Sequence, residues 1–154
     1  MRIVLTGALA ALMMVAVFSA PVLAEAEDMV VEGAWSRASI GTSRPGVAYL
    51  TIHNAGDEAV RLIGIRTDLA KRSEIHRSSI NDQGVSSMEP AGEIEIAPGD
   101  TVALEPGGLH AMLVGLQRPM AEGNTFSLTL VFSDGGEVMV EVPIFGITAR
   151  GPGG

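Results

Sequence analysis

The sequence predicts an all-β domain, a sandwich of short antiparallel strands. Three observations carry that expectation. Short runs rich in β-branched residues alternate apolar and polar side chains, the period-2 pattern of a half-buried strand. Gly and Pro pairs, the strongest turn markers, separate the runs at near-regular spacing, as in GEIEIAPGDTVALEPGG. The 154 residues hold no repeat and no low-complexity block, which limits the chain to a single core-sized domain.

In chain order, MRIVLTGALAALMMVAVFSAPVLA comes first. Arg2, an apolar run broken by Pro21, and small residues ending at Ala24 match a secretory signal peptide over residues 1–24, expected to be removed. Ala26 is a second possible cleavage point. An uncleaved anchor is the alternative; Pro21 and a run near the lower length limit for spanning argue against it. Strands are then expected in MVVEGAWS, VAYLTIHN, AVRLIGIRT, EIHRSS, EIEIA, TVALE, LHAMLVGL, TFSLTLVFS and EVMVEVPI. ASIGTSRPG, with its Gly and Pro, reads as a loop, and DLAKRSE as a helical turn. The domain is placed at 25–145, and ITARGPGG ends the chain in a flexible, Gly-rich tail at 146–154.

Through the middle of this scaffold run His76, Met88, His110 and Met112, in the pattern H-x11-M-x21-H-x-M. Residues two apart on a strand share a face, so His110 and Met112 project side by side. His76 and Met88 flank a hairpin whose turn residues are Asn81, Asp82 and Gly84, which sets His76 about opposite Met88. Imidazole nitrogen and thioether sulfur are poor donors for calcium or magnesium, which take oxygen ligands. They suit copper, Cu(I) above all, with Cu(II) possible through histidine plus water or carboxylate. Each residue alone has a plainer reading, methionine as core filler and histidine as a satisfied turn or core residue. The weight lies in the constellation.

That spacing resembles the signature of the PCuAC family of periplasmic copper chaperones. The similarity extends through GAWSRAS, GVAYLTIHNAGDEAVRLIG, LEPGGLHAMLVGL and GEVMVEVPI. Arg77 stands where the family pattern has an optional second methionine, so one sulfur donor is replaced by a cation. The resemblance implies a cupredoxin-like β-sandwich, of the same layered class as immunoglobulin domains. It implies one copper ion on His76, Met88, His110 and Met112. It also implies delivery to the Cu(A) centre of cytochrome c oxidase, directly or with a Sco-type thioredoxin-like partner, in the periplasm.

Composition excludes other classes. Removing the leader takes away one of ten basic residues and leaves nine against eighteen acidic ones, a net charge of −9. Such a surface repels nucleic acid and anionic membrane. With no cysteine there is no disulfide, no thiol nucleophile, no lipid attachment point and no blue-copper His2Cys site. No G-x-S-x-G elbow or phosphate loop is present, so no catalysis is expected. A copper storage or resistance protein, a metal-free exported binding sandwich and, least favoured, a copper redox enzyme are the rival readings.

Further residues are read structurally. His53 belongs to a strand end with a local hydrogen bond or a solvent-facing position. Met120 packs under a loop or serves as an accessory sulfur; Met139 is core or sheet surface; Met29 is uninformative. Trp35 anchors the sandwich or shields the site. Glu105 to Gly108 form the turn that aims His110.

Overall fold

A computed structural model describes residues 26–154; the signal peptide expected at 1–24 lies outside them. The described chain is ten strands and no helix: β1 Met29–Arg37, β2 Gly46–Asn54, β3 Val60–Arg66, β4 Ala70–Ile80, β5 Ser86–Pro90, β6 Ile94–Ile96, β7 Thr101–Leu104, β8 Leu109–Leu116, β9 Thr125–Phe132 and β10 Glu137–Phe145. Their order is β5-β4-β8-β7-β2-β1-β10-β9-β3-β6, with β8 also paired to β2. The run β5 to β1 and the run β10 to β6 are joined only by Ser36↔Ile144 and Arg37↔Phe145. That join, and the single Leu104↔Leu109 pair, are parallel; every other pairing is antiparallel.

The core comes from the alternation. On β9, Phe126, Leu128, Leu130 and Phe132 are buried, while Ser127, Thr129 and Val131 are partly exposed. On β2, Ala48, Leu50 and Ile52 face the same cluster, and on β8, Ala111 and Leu113 do. Each large side chain so placed is favoured by roughly 1.5–3 kcal/mol over leaving it in water. With no disulfide, this burial and the strand ladders hold the domain.

A bulge in β1 creates a second, smaller cluster. Glu32 pairs with Thr51 but Trp35 with Tyr49, so β1 holds one extra residue, made possible by Gly33 at φ 61°. The extra residue reverses which side chains face inward. Trp35 is therefore buried, as expected of an anchor, but on the outer face of the sheet, where it packs with Tyr49 and Ala149. The segment 146–154, expected as a flexible tail, lies against this face through Ala149, whose carbonyl accepts a 2.7 Å hydrogen bond from Arg37 Nε.

In the DLAKRSE stretch only Asp68 and Leu69 form a turn, and from Ala70 on it is strand, not helix. Ala70 and Ile75 are buried, and β4 pairs with β8 from Ala70↔Leu116 to Arg77↔Leu109. Seven lone residues have little helical stability, and an available strand partner outweighs them.

Candidate metal centre

The site is built on β4 and β8. Ala111 and Leu113 point into the core, so His110 and Met112 project from the opposite, outer face of β8. Ile75 of β4 lies opposite Ala111 on the core side, which puts Glu74 and His76 on the outer face as well. His76 is directly opposite His110, and their ring centroids are 6.1 Å apart. Met112 faces Glu74 on one side and Val47 on the other.

Met88 arrives from the edge. The turn after β4 is closed by Asn81, whose Oδ1 accepts from Gln83 N and Val85 N, with Gly84 at φ 77°. This five-residue connection sets Ile80 opposite Ser86 and hence Met88 opposite Ser78. The expected His76–Met88 opposition is therefore corrected by two residues: His76 faces Pro90. A shift of two keeps the face, because strand side chains repeat every second residue. Met88 shares the outer face with both histidines and is 55% exposed.

The imidazoles are prepared in complementary ways. His76 Nε2 donates to Glu74 Oε2 at 3.0 Å, which leaves its Nδ1 as the lone-pair nitrogen. His110 Nδ1 donates to the Gly108 carbonyl at 3.2 Å, which leaves its Nε2 as the lone-pair nitrogen. Both lone-pair atoms, His76 Nδ1 and His110 Nε2, are buried and have no hydrogen-bond partner. An unpartnered buried nitrogen costs about 1–3 kcal/mol, and these two, on residues paired across one ladder, leave two ring lone pairs close together. The Gly108 carbonyl comes from the turn expected to aim His110: Gly108 N donates to Glu105 O at 3.0 Å, and Gly107 takes φ 84°.

Glu74 was not singled out in the sequence, and only the strand period, which sets it two residues before His76, could have indicated it. Its carboxyl is held below the usual range chiefly by the hydrogen bond from His76, with desolvation opposing and Arg72 adding a 2.8 Å ion pair. Replacing Glu74 with Ala is expected to weaken metal binding about 10–100-fold, the usual cost of losing a histidine's outer partner. Nitrogen NMR of the His76 ring would then show loss of the single Nε2–H tautomer, and Glu74→Gln, which keeps an acceptor, would restore much of it.

Among the described residues, no three His, Asp or Glu side chains converge to hold a metal. The side chains of Met88 and Met112 share the outer face with the paired imidazoles. The other singled-out residues stand elsewhere. His53 Nδ1 bonds Thr101 Oγ1 at 3.0 Å. Met120 is fully buried, Met29 is core, and Met139 is 70% exposed on the sheet surface.

The family model for putative LpqE-like lipoproteins matches residues 29–144. Putative lipoprotein Lxx21020 of Leifsonia xyli subsp. xyli is 31% identical over 120 residues, 78% of this chain and 71% of that protein. Among solved structures, the apo PCuAC domain of PmoF2 superposes with a TM-score of 0.64 at 26% identity, covering 80% of this chain and 94% of that one. The solution structure of CuI-DR1885 from Deinococcus radiodurans superposes with a TM-score of 0.59 at 31% identity, covering 75% and 76%. The likeness to PCuAC domains read from the motif is therefore a likeness of fold as well.

Proposed function

This chain belongs to the LpqE-like family, and from that premise we propose that it is an exported copper chaperone. It binds one Cu(I) ion through His76, Met88, His110 and Met112. The observation that carries the reading is the pair of buried, unpartnered nitrogens, His76 Nδ1 and His110 Nε2, on residues that are direct partners across β4 and β8 with rings 6.1 Å apart. The similarity to a domain solved with Cu(I) supports the choice of ion. The softness of thioether donors and the absence of a converging carboxylate cluster among the described residues favour Cu(I) over a harder cation.

All four donors are neutral, so the bound ion keeps its charge. Three of them stand on paired interior strands. The fourth, Met88, stands on the edge strand β5, every residue of which is exposed. A partner's donor can enter on that side and replace Met88 while the histidines still hold the ion, which is the requirement for passing copper without releasing it. The recipient is the Cu(A) site of cytochrome c oxidase or a Sco-type protein, and the compartment is the periplasm, reached through the leader at residues 1–24. The reading is of a carrier, not a catalyst.

The test is an anaerobic titration of the exported domain with Cu(I) against a chromophoric chelator. A one-to-one endpoint that disappears in His76→Ala is expected. An endpoint at several ions would instead indicate storage. Failure to compete with the chelator would overturn the copper reading and leave an exported binding sandwich.

A further inference from the structure

A recess of about 390 Å³ opens beside the copper face, between the 38–45 loop and the C-terminal segment. Arg37, Ile40, Arg44, Pro45, Val47 and Ile147 are among its lining residues. Three features mark it out. First, it adjoins the site: Val47 is the ladder partner of Met112. Second, it exposes apolar surface, with Ile40 at 78% and Ile147 at 52% exposure. Third, its arginines are unclaimed. Arg61, Arg66, Arg72 and Arg118 are all ion-paired, whereas neither Arg37 nor Arg44 has a carboxylate within ion-pair distance among the described residues; Arg77 and Arg150 are likewise without an ion pair, but neither lines this recess.

The recess is also preformed. Ser39 N donates to Met120 O and Met120 N donates to Ser39 Oγ, both at 2.9 Å, and Ala38 N donates to Phe145 O at 2.8 Å. Arg37 Nε is held by the Ala149 carbonyl, and its guanidinium lies 5.7 Å and 5.6 Å from the Trp35 and Tyr49 ring centroids. Its two terminal nitrogens have no hydrogen-bond partner among the described residues. A guanidinium fixed by its stem with both ends open is preorganised for a carboxylate.

We propose that this recess is where the copper-exchanging partner docks, and that it takes a partner segment carrying an Asp or Glu between apolar side chains. The inference rests on the copper reading above. An exported domain of net charge −9, nine basic against eighteen acidic residues once the leader is removed, repels an acidic partner over most of its surface. Recognition at Arg37 and Arg44 therefore fixes one orientation of the partner over the outer face that carries both Met112 and the edge donor Met88. The bound ion adds a further positive charge to this face, so the loaded form docks more tightly than the emptied one, and delivery itself favours separation.

The experiment is stopped-flow transfer from the Cu(I)-loaded protein to the apo, soluble Cu(A) domain of cytochrome c oxidase, alongside transfer to a small chromophoric chelator. Arg44 is exposed and makes no side-chain bond among the described residues, so Arg44→Glu is expected to fold normally. It should slow transfer to the domain about tenfold or more at low salt, within the range of electrostatic steering, and leave transfer to the chelator unchanged. Amide shifts on adding the domain should concentrate at residues 38–47 and 147. Parent-like transfer by both Arg44→Glu and Arg37→Gln would overturn the proposal. So would equal slowing toward the chelator, no transfer from a parent that binds Cu(I), or saturable shifts at these amides with succinate but none with the domain. A parent that binds no Cu(I) fails the chaperone reading instead, and the chelator titration separates the two.

Discussion

Replacing His110 with Leu is expected to abolish high-affinity Cu(I) binding while leaving the metal-free domain at least as stable as the parent. The two effects have one cause. His110 is 3% exposed, and its Nε2 is buried without a hydrogen-bond partner. In the metal-free protein that atom is a liability of about 1–3 kcal/mol; in the loaded protein it is the proposed donor. Leucine removes the liability, fills a similar volume and cannot bind a metal. The affinity loss should exceed the 10–100-fold expected for an outer partner such as Glu74, since a ligand itself is gone. Chelator competition reads the first effect and thermal unfolding of the apo domain the second. A His110→Leu variant that still binds Cu(I) tightly would exclude His110 as a ligand. A large drop in apo melting temperature would mean that its buried ring is needed for packing.

The second large effect is expected from the methionines. Met88→Leu should lower Cu(I) affinity by about tenfold or more, equivalent to about 1.4 kcal/mol, with no measurable change in stability. Met88 is 55% exposed on a strand that pairs only with β4, so its side chain holds nothing together in the apo domain. Met112→Leu should cost a similar affinity and also shift stability, by less than about 1.5 kcal/mol, because Met112 is half-buried between Val47 and Glu74. The kinetics should separate the pair: loss of Met88, the edge donor, raises the dissociation rate to a small chelator more than loss of Met112. If both Leu variants hold copper like the parent, the methionines are packing residues and the ion belongs to the histidines alone.

Much of the fold was legible because alternation reports burial directly. LHAMLVGL is a strand with the bounds expected, 109–116, and its two-residue period put His110 and Met112 on one face without any tertiary information. The strands from β7 to β10 follow the same logic. The stretch at 68–74 did not, since its pattern is compatible with either a helical turn or a strand and the decision rests on pairing with β8. Trp35 illustrates a different limit. Its burial was expected from its size, but the face it occupies depends on the extra residue at Gly33, which reverses the inward side of β1.

By itself, then, the sequence determined the class of the domain and nominated four residues, His76, Met88, His110 and Met112, whose donor atoms suit a soft metal. It also determined that the two members of the His110–Met112 pair share a face. These follow from local rules, since strand period, turn chemistry and donor type are properties of a few neighbouring residues. Only the tertiary structure decided that His76 stands opposite His110 and not opposite Met88. The same holds for the two unbonded ring nitrogens and for Glu74 as the acceptor that selects one of them. It holds, too, for the arginine-lined recess that adjoins Met112 through Val47, built from the 38–45 loop, the start of β2 and residue 147. Register between strands depends on turn length and on the whole ladder, and the bonding state of an imidazole depends on which groups the fold brings to it. Neither is encoded at the residue itself.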